Sequence, residues 1–382
     1  MNRASGMKTS TGYVATATVH TALTLQNRKK YVANGSQLIG ITGRRLRSRL
    51  GEWIYLDYAS MAPAMPFLNP PFGNPSSAHA IGQRARDALE DARGRVAKCM
   101  DCKPSEVYFT STATEAAVLA LDSLYREGVK VTASPYEHHS ISENVRELES
   151  PLRMKTCYCQ QLVNNECGDI FSYRPAGDYW LCDATAAVGH IPVSFDSDYM
   201  VADGIKFGSM HGAAFLLAKE GVPLFPMIRG GGQERGIRAG TENVPAICSM
   251  ASALEWQCQH MEQNTLHVLR LNKMMLQILT EADCLVNAMG ETSPYILNVS
   301  FLGVENGALV LYLSNQGVMV SAGAACTTGD NAPSHVLMAM YGDEARARSA
   351  IRISFSHDTT EEEVRIAGDK IVKAVKMLRG MM

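Results

Sequence analysis

The 382-residue chain lacks any apolar run near the roughly 18–20 residues a membrane-spanning helix needs. Segments such as Gly212–Ala218 are far too short, so no membrane partner is expected. It also lacks a charge excess of either sign. With 36 basic and 38 acidic residues the net charge is −2, which gives no electrostatic footprint for direct nucleic-acid binding. A disulfide framework is missing too. Ten cysteines are scattered from Cys99 to Cys326 through a long, core-rich chain, a pattern that reads as thiols in a reducing compartment. Cys99-x-x-Cys102 resembles half a zinc site, but no second pair follows at a suitable distance, and no metal is expected. Internal repeats are absent. Acidic residues are absent before Glu52, while nine Lys/Arg, including Arg44, Arg45, Arg47 and Arg49, fall in the first fifty-one positions. Residues 1–51 thus read as a basic extension, either a targeting segment or a poorly ordered one. What is present beyond it is 46% apolar and 19% charged residues over the whole chain, enough for a sizeable core.

From Trp53 onward, strand-like and helix-like segments alternate. Strands are expected at Trp53–Tyr58, Glu106–Thr110, Val129–Ser134, Lys155–Tyr158, Tyr179–Asp183, 199–207 and 213–218. Helices are expected at 81–99, from Thr114 to Arg126, near Ser140–Leu148, and as two long ones at 244–261 and 262–281, before a mixed tail from 295 to 380. Strands separated by helices imply an α/β fold with a largely parallel sheet covered on both faces. The domains expected are the extension 1–51, a large domain 52–250 and a smaller α/β domain 251–382.

In open parallel sheets ligands sit beyond the carboxyl ends of the strands. Thr110-Ser111-Thr112-Ala113-Thr114-Glu115 lies between a strand and a helix start, and reads either as an anion cradle or as an ordinary Ser/Thr cap. Asp183 ends a strand, where a carboxylate holds a protonated ring nitrogen, ligates a metal or caps the next turn. Lys206 lies in a mostly apolar stretch, and a lysine there is costly to bury unless paired, neutral or covalently engaged; otherwise it is an exposed strand-end lysine. An Asp on one strand and a Lys on a later one match the arrangement used with pyridoxal phosphate. Val320-Ser321-Ala322-Gly323-Ala324-Ala325-Cys326-Thr327-Thr328-Gly329 puts a thiol among small residues, either an accessible nucleophile or a bystander in a small-residue turn.

Further motifs carry a resemblance: Tyr55-Leu56-Asp57-Tyr58-Ala59, Phe72-Gly73-Asn74-Pro75-Ser76-Ser77-Ala78-His79, Glu137-His138, Asn164-Asn165-Glu166 and Asp183-Ala184-Thr185. They are followed by Gly230-Gly231-Gly232-Gln233-Glu234-Arg235-Gly236, Arg238-Ala239-Gly240-Thr241-Glu242-Asn243 and Ser349-Ala350-Ile351-Arg352. With Thr110–Glu115 and Ser321–Cys326, in this order, they resemble cysteine desulfurases of the NifS/IscS type. The resemblance implies a fold-type I pyridoxal 5'-phosphate enzyme with a mostly parallel seven-stranded sheet, working as a homodimer. It implies that Lys206 binds the cofactor aldehyde, Asp183 partners the pyridinium nitrogen, His138 stacks on the ring and Asn165 lies beside its O3′ edge. Ala113 and Thr114 would bind the phosphate, with Thr241 reaching in from the other subunit. Arg352 would clamp the substrate carboxylate, beside Asn165, and Cys326 would take the sulfur of L-cysteine as a persulfide, release L-alanine and pass the sulfur to an acceptor protein.

The chain departs from that family's pattern at Ala186, where Gln is usual, and at Asp203-Gly204-Ile205-Lys206, where Ser-Gly-His-Lys is usual. By that resemblance the second departure removes two phosphate ligands and sets a carboxylate near a dianion, a repulsive pairing unless Asp203 turns away. Other readings are a trimmed, weakly active or non-catalytic scaffold, and a selenocysteine lyase or class-V aminotransferase. The resemblance implies an acceptor in iron–sulfur cluster assembly or in a tRNA or nucleic-acid thiolation pathway, and the sequence does not name it. The compartment expected is the cytoplasm, or the mitochondrial matrix if residues 1–51 are a transit peptide.

Overall fold

Short apolar runs alternating with amphipathic stretches build, among the described residues, one central sheet and two smaller three-stranded ones. The computed structural model describes residues 46–48, 51–61, 73–146, 154–323 and 332–380; most of the basic extension lies outside them. The strands are β1 (Leu46–Ser48), β2 (Gly51–Tyr55), β3 (Val107–Thr110), β4 (Lys130–Ala133), β5 (Thr156–Gln161), β6 (Tyr179–Asp183), β7 (Tyr199–Asp203), β8 (Ala214–Ala218), β9 (Leu285–Val286), β10 (Ile296–Ser300), β11 (Val318–Met319) and β12 (Ala350–Ser354). The helices are α1 (Ala80–Cys99), α2 (Ala113–Arg126), α3 (His139–Ser142), α4 (Val244–Leu279), α5 (Asn306–Asn315), α6 (His335–Tyr341), α7 (Glu344–Arg348) and α8 (Glu361–Arg379).

The central sheet runs β3-β8-β7-β6-β5-β4. Strands β4 to β7 are mutually parallel, and β8 is antiparallel to both β7 and β3, so β3 points the same way as the parallel set. Among the described residues this sheet has six strands where seven were expected. β7 and β8 are buried at every position, as strands covered on both faces are. On one face Leu89 and Val96 of α1 and Ile247, Met250 and Leu254 of α4 pack against Phe109, Cys182, Met200 and Phe215. On the other, the alanine- and leucine-rich side of α2 packs against Val131, Leu181, Val201 and Leu216. A second sheet, β12-β10-β9, is antiparallel and shares its core with α8 and the far half of α4.

Three local expectations are corrected. The two helices at 244–261 and 262–281 are one, α4, of 36 residues and about 54 Å. No glycine or proline follows Pro245 to interrupt it, and its two halves pack on α1 and α8 in turn. The helix near Ser140–Leu148 is the single turn α3, with Glu147 and Leu148 outside the described residues. The strand at 199–207 stops at Asp203, whose side chain accepts from Ile205 N and turns the chain into a 3-10 turn, Gly204–Lys206.

Candidate active site

The carboxyl ends of β5, β6 and β7 and the start of α2 after β3 open onto one cavity of about 230 Å³. Ligands gather at this edge of a parallel sheet because polar groups just past the strands escape the ladder. Asp183, Lys206, His138, Asn165, Ala113, Thr114 and Arg352 all line this cavity.

Asp183 is buried at the last position of β6, and its Oδ1 accepts from Thr185 N at 2.9 Å. Lys206 is half-buried; its Nζ donates to Ala59 O (3.0 Å) and Ser60 O (2.7 Å). Those carbonyls hold the amine at the cavity wall. His138 caps α3: its Nδ1 accepts from Ser140 N at 3.1 Å and lies 2.8 Å from Ser140 Oγ. Burial lowers its proton affinity below the ordinary imidazole value, with Asp183 opposing and Lys206 adding to the effect, which favours the neutral ring. Next to it Glu137 is buried, and burial followed by the charge of Asp183 pushes its carboxyl well above the usual range.

Arg352, near the middle of β12, is only 2% exposed. Its Nη1 donates to Asn165 O (2.8 Å), and its Nη2 to Ser60 Oγ (2.7 Å) and Asp57 Oδ1 (3.0 Å). Its Nε, together with Asn165 Oδ1 and Thr185 Oγ1, is buried without a hydrogen-bond partner among the described residues. Such atoms at a cavity wall are ready for a polar ligand, since leaving them unmade costs free energy.

At the other end, Thr112 caps α2 by accepting from Glu115 N at 3.1 Å. Ala113 N, expected to serve an anion, donates to Asp203 Oδ2 at 3.1 Å. Thr241 is exposed in the loop leading into α4 and does not line this cavity. Cys326 lies outside the described residues. The chain on either side reaches the site: Ser321 exchanges backbone hydrogen bonds with Arg352, and Ser334 Oγ donates to Glu166 Oε2 at 2.6 Å.

Several residues of the site were not assigned a role from the sequence. Asp57 and Ser60, which hold Arg352, stood close to a strand end, and Asp57 lay within the motif Tyr55-Leu56-Asp57-Tyr58-Ala59. His190 borders the cavity, its ring 4.5 Å from that of Tyr295; burial pushes its pKa down to about 4. Nothing in its neighbourhood of sequence distinguishes it.

A family model for class-V aminotransferases matches residues 59–164 and 161–366. The chain is 32% identical over 375 residues to the cysteine desulfurase IscS of Dictyoglomus turgidum, covering 85% of this chain and 95% of that one. A solved NifS-like protein superposes with a TM-score of 0.77 at 28% identity, over 85% of this chain and all of the other. A structure of SspA in complex with cysteine matches with a TM-score of 0.64 at 26% identity, over 79% of this chain and 98% of that one.

Proposed function

The chain belongs to the class-V aminotransferase family, and from that premise we propose that its cavity binds pyridoxal 5'-phosphate and converts L-cysteine to L-alanine, the sulfur passing through Cys326 to an acceptor protein. It is an enzyme of the cysteine desulfurase type, as its relatives across most of its length are. The residues at the ring end fit the cofactor. A buried carboxylate, an amine held by two carbonyls, and the unpartnered Asn165 Oδ1 and Thr185 Oγ1 are the donor and acceptor set that a protonated, oxygen-bearing pyridine aldehyde satisfies. The phosphate end is contested by Asp203.

Bound there, pyridoxal phosphate supplies an electron sink for bond breaking next to the substrate nitrogen. Asp183 would pair with the ring nitrogen and favour its protonated form. Lys206 would hold the aldehyde through its Nζ, the atom at which it would also accept and return protons. His138, whose neutral form burial favours, would serve as a proton acceptor at the cavity wall. Arg352 orients the substrate carboxylate through the part of its guanidinium that Asp57, Ser60 and Asn165 leave open. In the net reaction the substrate C–S bond breaks and an S–S bond to Cys326 forms. The substrate's β-carbon gains a proton and is reduced as the two sulfurs are oxidised to the persulfide level. We read the working enzyme as a homodimer, with the exposed Thr241 facing the partner's cofactor.

The observation that carries this reading is that Lys206, Asp183, His138, Asn165 and Arg352, spread over more than two hundred residues of sequence, line one cavity. Incubation of the purified protein with isotopically labelled cysteine, followed by mass spectrometry, tests it. Label as a persulfide on Cys326, with alanine released and both lost in Lys206→Ala, is the expected result. Alanine formation unchanged in Lys206→Ala would refute it.

A further inference from the structure

Asp203 stands where an anion would meet the first turn of α2. It is 8% exposed and borders the cavity together with Ala113 and Thr114. Its Oδ2 accepts from Ala113 N and its Oδ1 from Ile205 N at 3.2 Å, so one carboxylate ties the end of β7 to the start of α2. Free N–H groups and the helix dipole make that turn a cradle for negative charge, and here a side chain of the protein already occupies it. Ile205, the other residue beside Lys206 that faces the cavity, brings no side-chain donor.

Resting on the cofactor reading above, we propose that Asp203 is an internal anion competing with the cofactor's phosphate for the first turn of α2. The phosphorylated cofactor then binds with uptake of one proton at Asp203, and the chain distinguishes it only weakly from unphosphorylated pyridoxal. Two anions on one cradle repel, whereas a protonated Asp203 becomes a donor to a phosphate oxygen. Two charged groups among the described residues act on Asp203. Lys206 lies on its own segment and Asp183 at the end of β6, one favouring and one opposing its charge. His138, which caps α3, is shifted toward its neutral form by burial, and Glu115 of α2 is paired with Arg238 at 2.6 Å. Burial is the largest influence on Asp203 and pushes its carboxyl above the usual range, with the Ala113 and Ile205 N–H groups opposing, which eases proton uptake.

The test measures dissociation constants of the full chain, freed of cofactor, for pyridoxal phosphate and for pyridoxal, by absorbance and equilibrium dialysis between pH 7 and 9. Over that range the phosphate itself is close to a dianion. The preference for the phosphorylated form should be about tenfold or less at pH 9 and rise as pH falls, approaching tenfold per pH unit where Asp203 is ionised. Asp203→Asn should raise the preference at pH 9 by about tenfold or more and flatten its pH dependence. A preference that is flat with pH in the unsubstituted chain and unchanged in Asp203→Asn overturns the proposal while leaving the cofactor reading intact. If the variant fails to fold, the flat or sloping profile of the unsubstituted chain still decides. Binding of neither aldehyde overturns the cofactor reading, and this inference with it.

Discussion

Replacing Asp57 by Asn probes how Arg352 is held. The side chain of Arg352 is 2% exposed and that of Asp57 18%, and the two are paired at 3.0 Å. Asp57 Oδ1 also accepts from Ser321 Oγ at 2.8 Å, next to the backbone bridge between Ser321 and Arg352. Breaking a fully buried ion pair costs about 3–5 kcal/mol, because the remaining charge is left without compensation. Here Asn keeps an acceptor oxygen, Ser60 Oγ and Asn165 O still receive the guanidinium, and Asp57 is partly open to solvent. The expected loss is therefore smaller, about 2 kcal/mol. The charge lost at residue 57 can be supplied by a ligand carboxylate at Arg352, so millimolar L-alanine should stabilise Asp57→Asn more than it stabilises the unsubstituted chain. Denaturant unfolding monitored by far-UV circular dichroism, with and without L-alanine, measures both quantities. An Asp57→Asn protein that is fully stable, or that gains no more from alanine than the parent does, would refute the assignment of Arg352 as a carboxylate site screened by Asp57.

Other perturbations follow from the same geometry. His190 has a folded pKa of about 4 against roughly 6.5 unfolded, so below pH 6.5 the unfolded chain takes the proton first. Its contribution is lost as pH falls from about 6.5 through 4, by up to roughly 3 kcal/mol, and His190→Asn should flatten that part of the stability profile; an unchanged slope would contradict it. Glu234 accepts from Arg93 Nη1 (2.9 Å), Arg93 Nη2 (2.8 Å) and Phe109 N (2.8 Å) with both side chains buried. Glu234→Ala should cost about 3 kcal/mol or more, read from the shift in urea midpoint. At Gly204 an added Cβ would lie 2.7 Å from Ser209 Cβ and 2.9 Å from both Ala213 O and Met250 Cγ. Gly204→Ala should therefore cost about 1–3 kcal/mol and weaken cofactor retention by displacing Lys206; normal retention and stability together would argue against that close packing.

Much of the fold was legible in the sequence because burial on both faces leaves little choice. Runs such as Tyr-Trp-Leu-Cys-Asp and Ala-Phe-Leu-Leu-Ala are strands at nearly the expected bounds, and Ala113–Arg126 begins one residue from its expected start. The continuity of α4 was less legible. Its apolar stripe changes partner from α1 to α8 along its length, so the change of face reads as a break. The one-turn α3 was overestimated: the chain turns at Glu143 and Asn144 and has left the helix by Val145, which sequence periodicity does not register.

By itself, then, the sequence determined the kind of chemistry on offer: an amine, a strand-end carboxylate, an imidazole, a guanidinium and a thiol in ordered motifs, on strands whose hydrophobicity dictates a parallel sheet. Tertiary structure alone decided how those groups are engaged. The guanidinium of Arg352 meets Asp57 across almost three hundred residues of chain, and the carboxylate of Asp203 meets Ala113 N–H across ninety. Pairings of that kind depend on which loop ends converge at the sheet edge. Local patterns carry propensity and burial, whereas the desolvation and charge balance of a site are set by neighbours that only folding brings together.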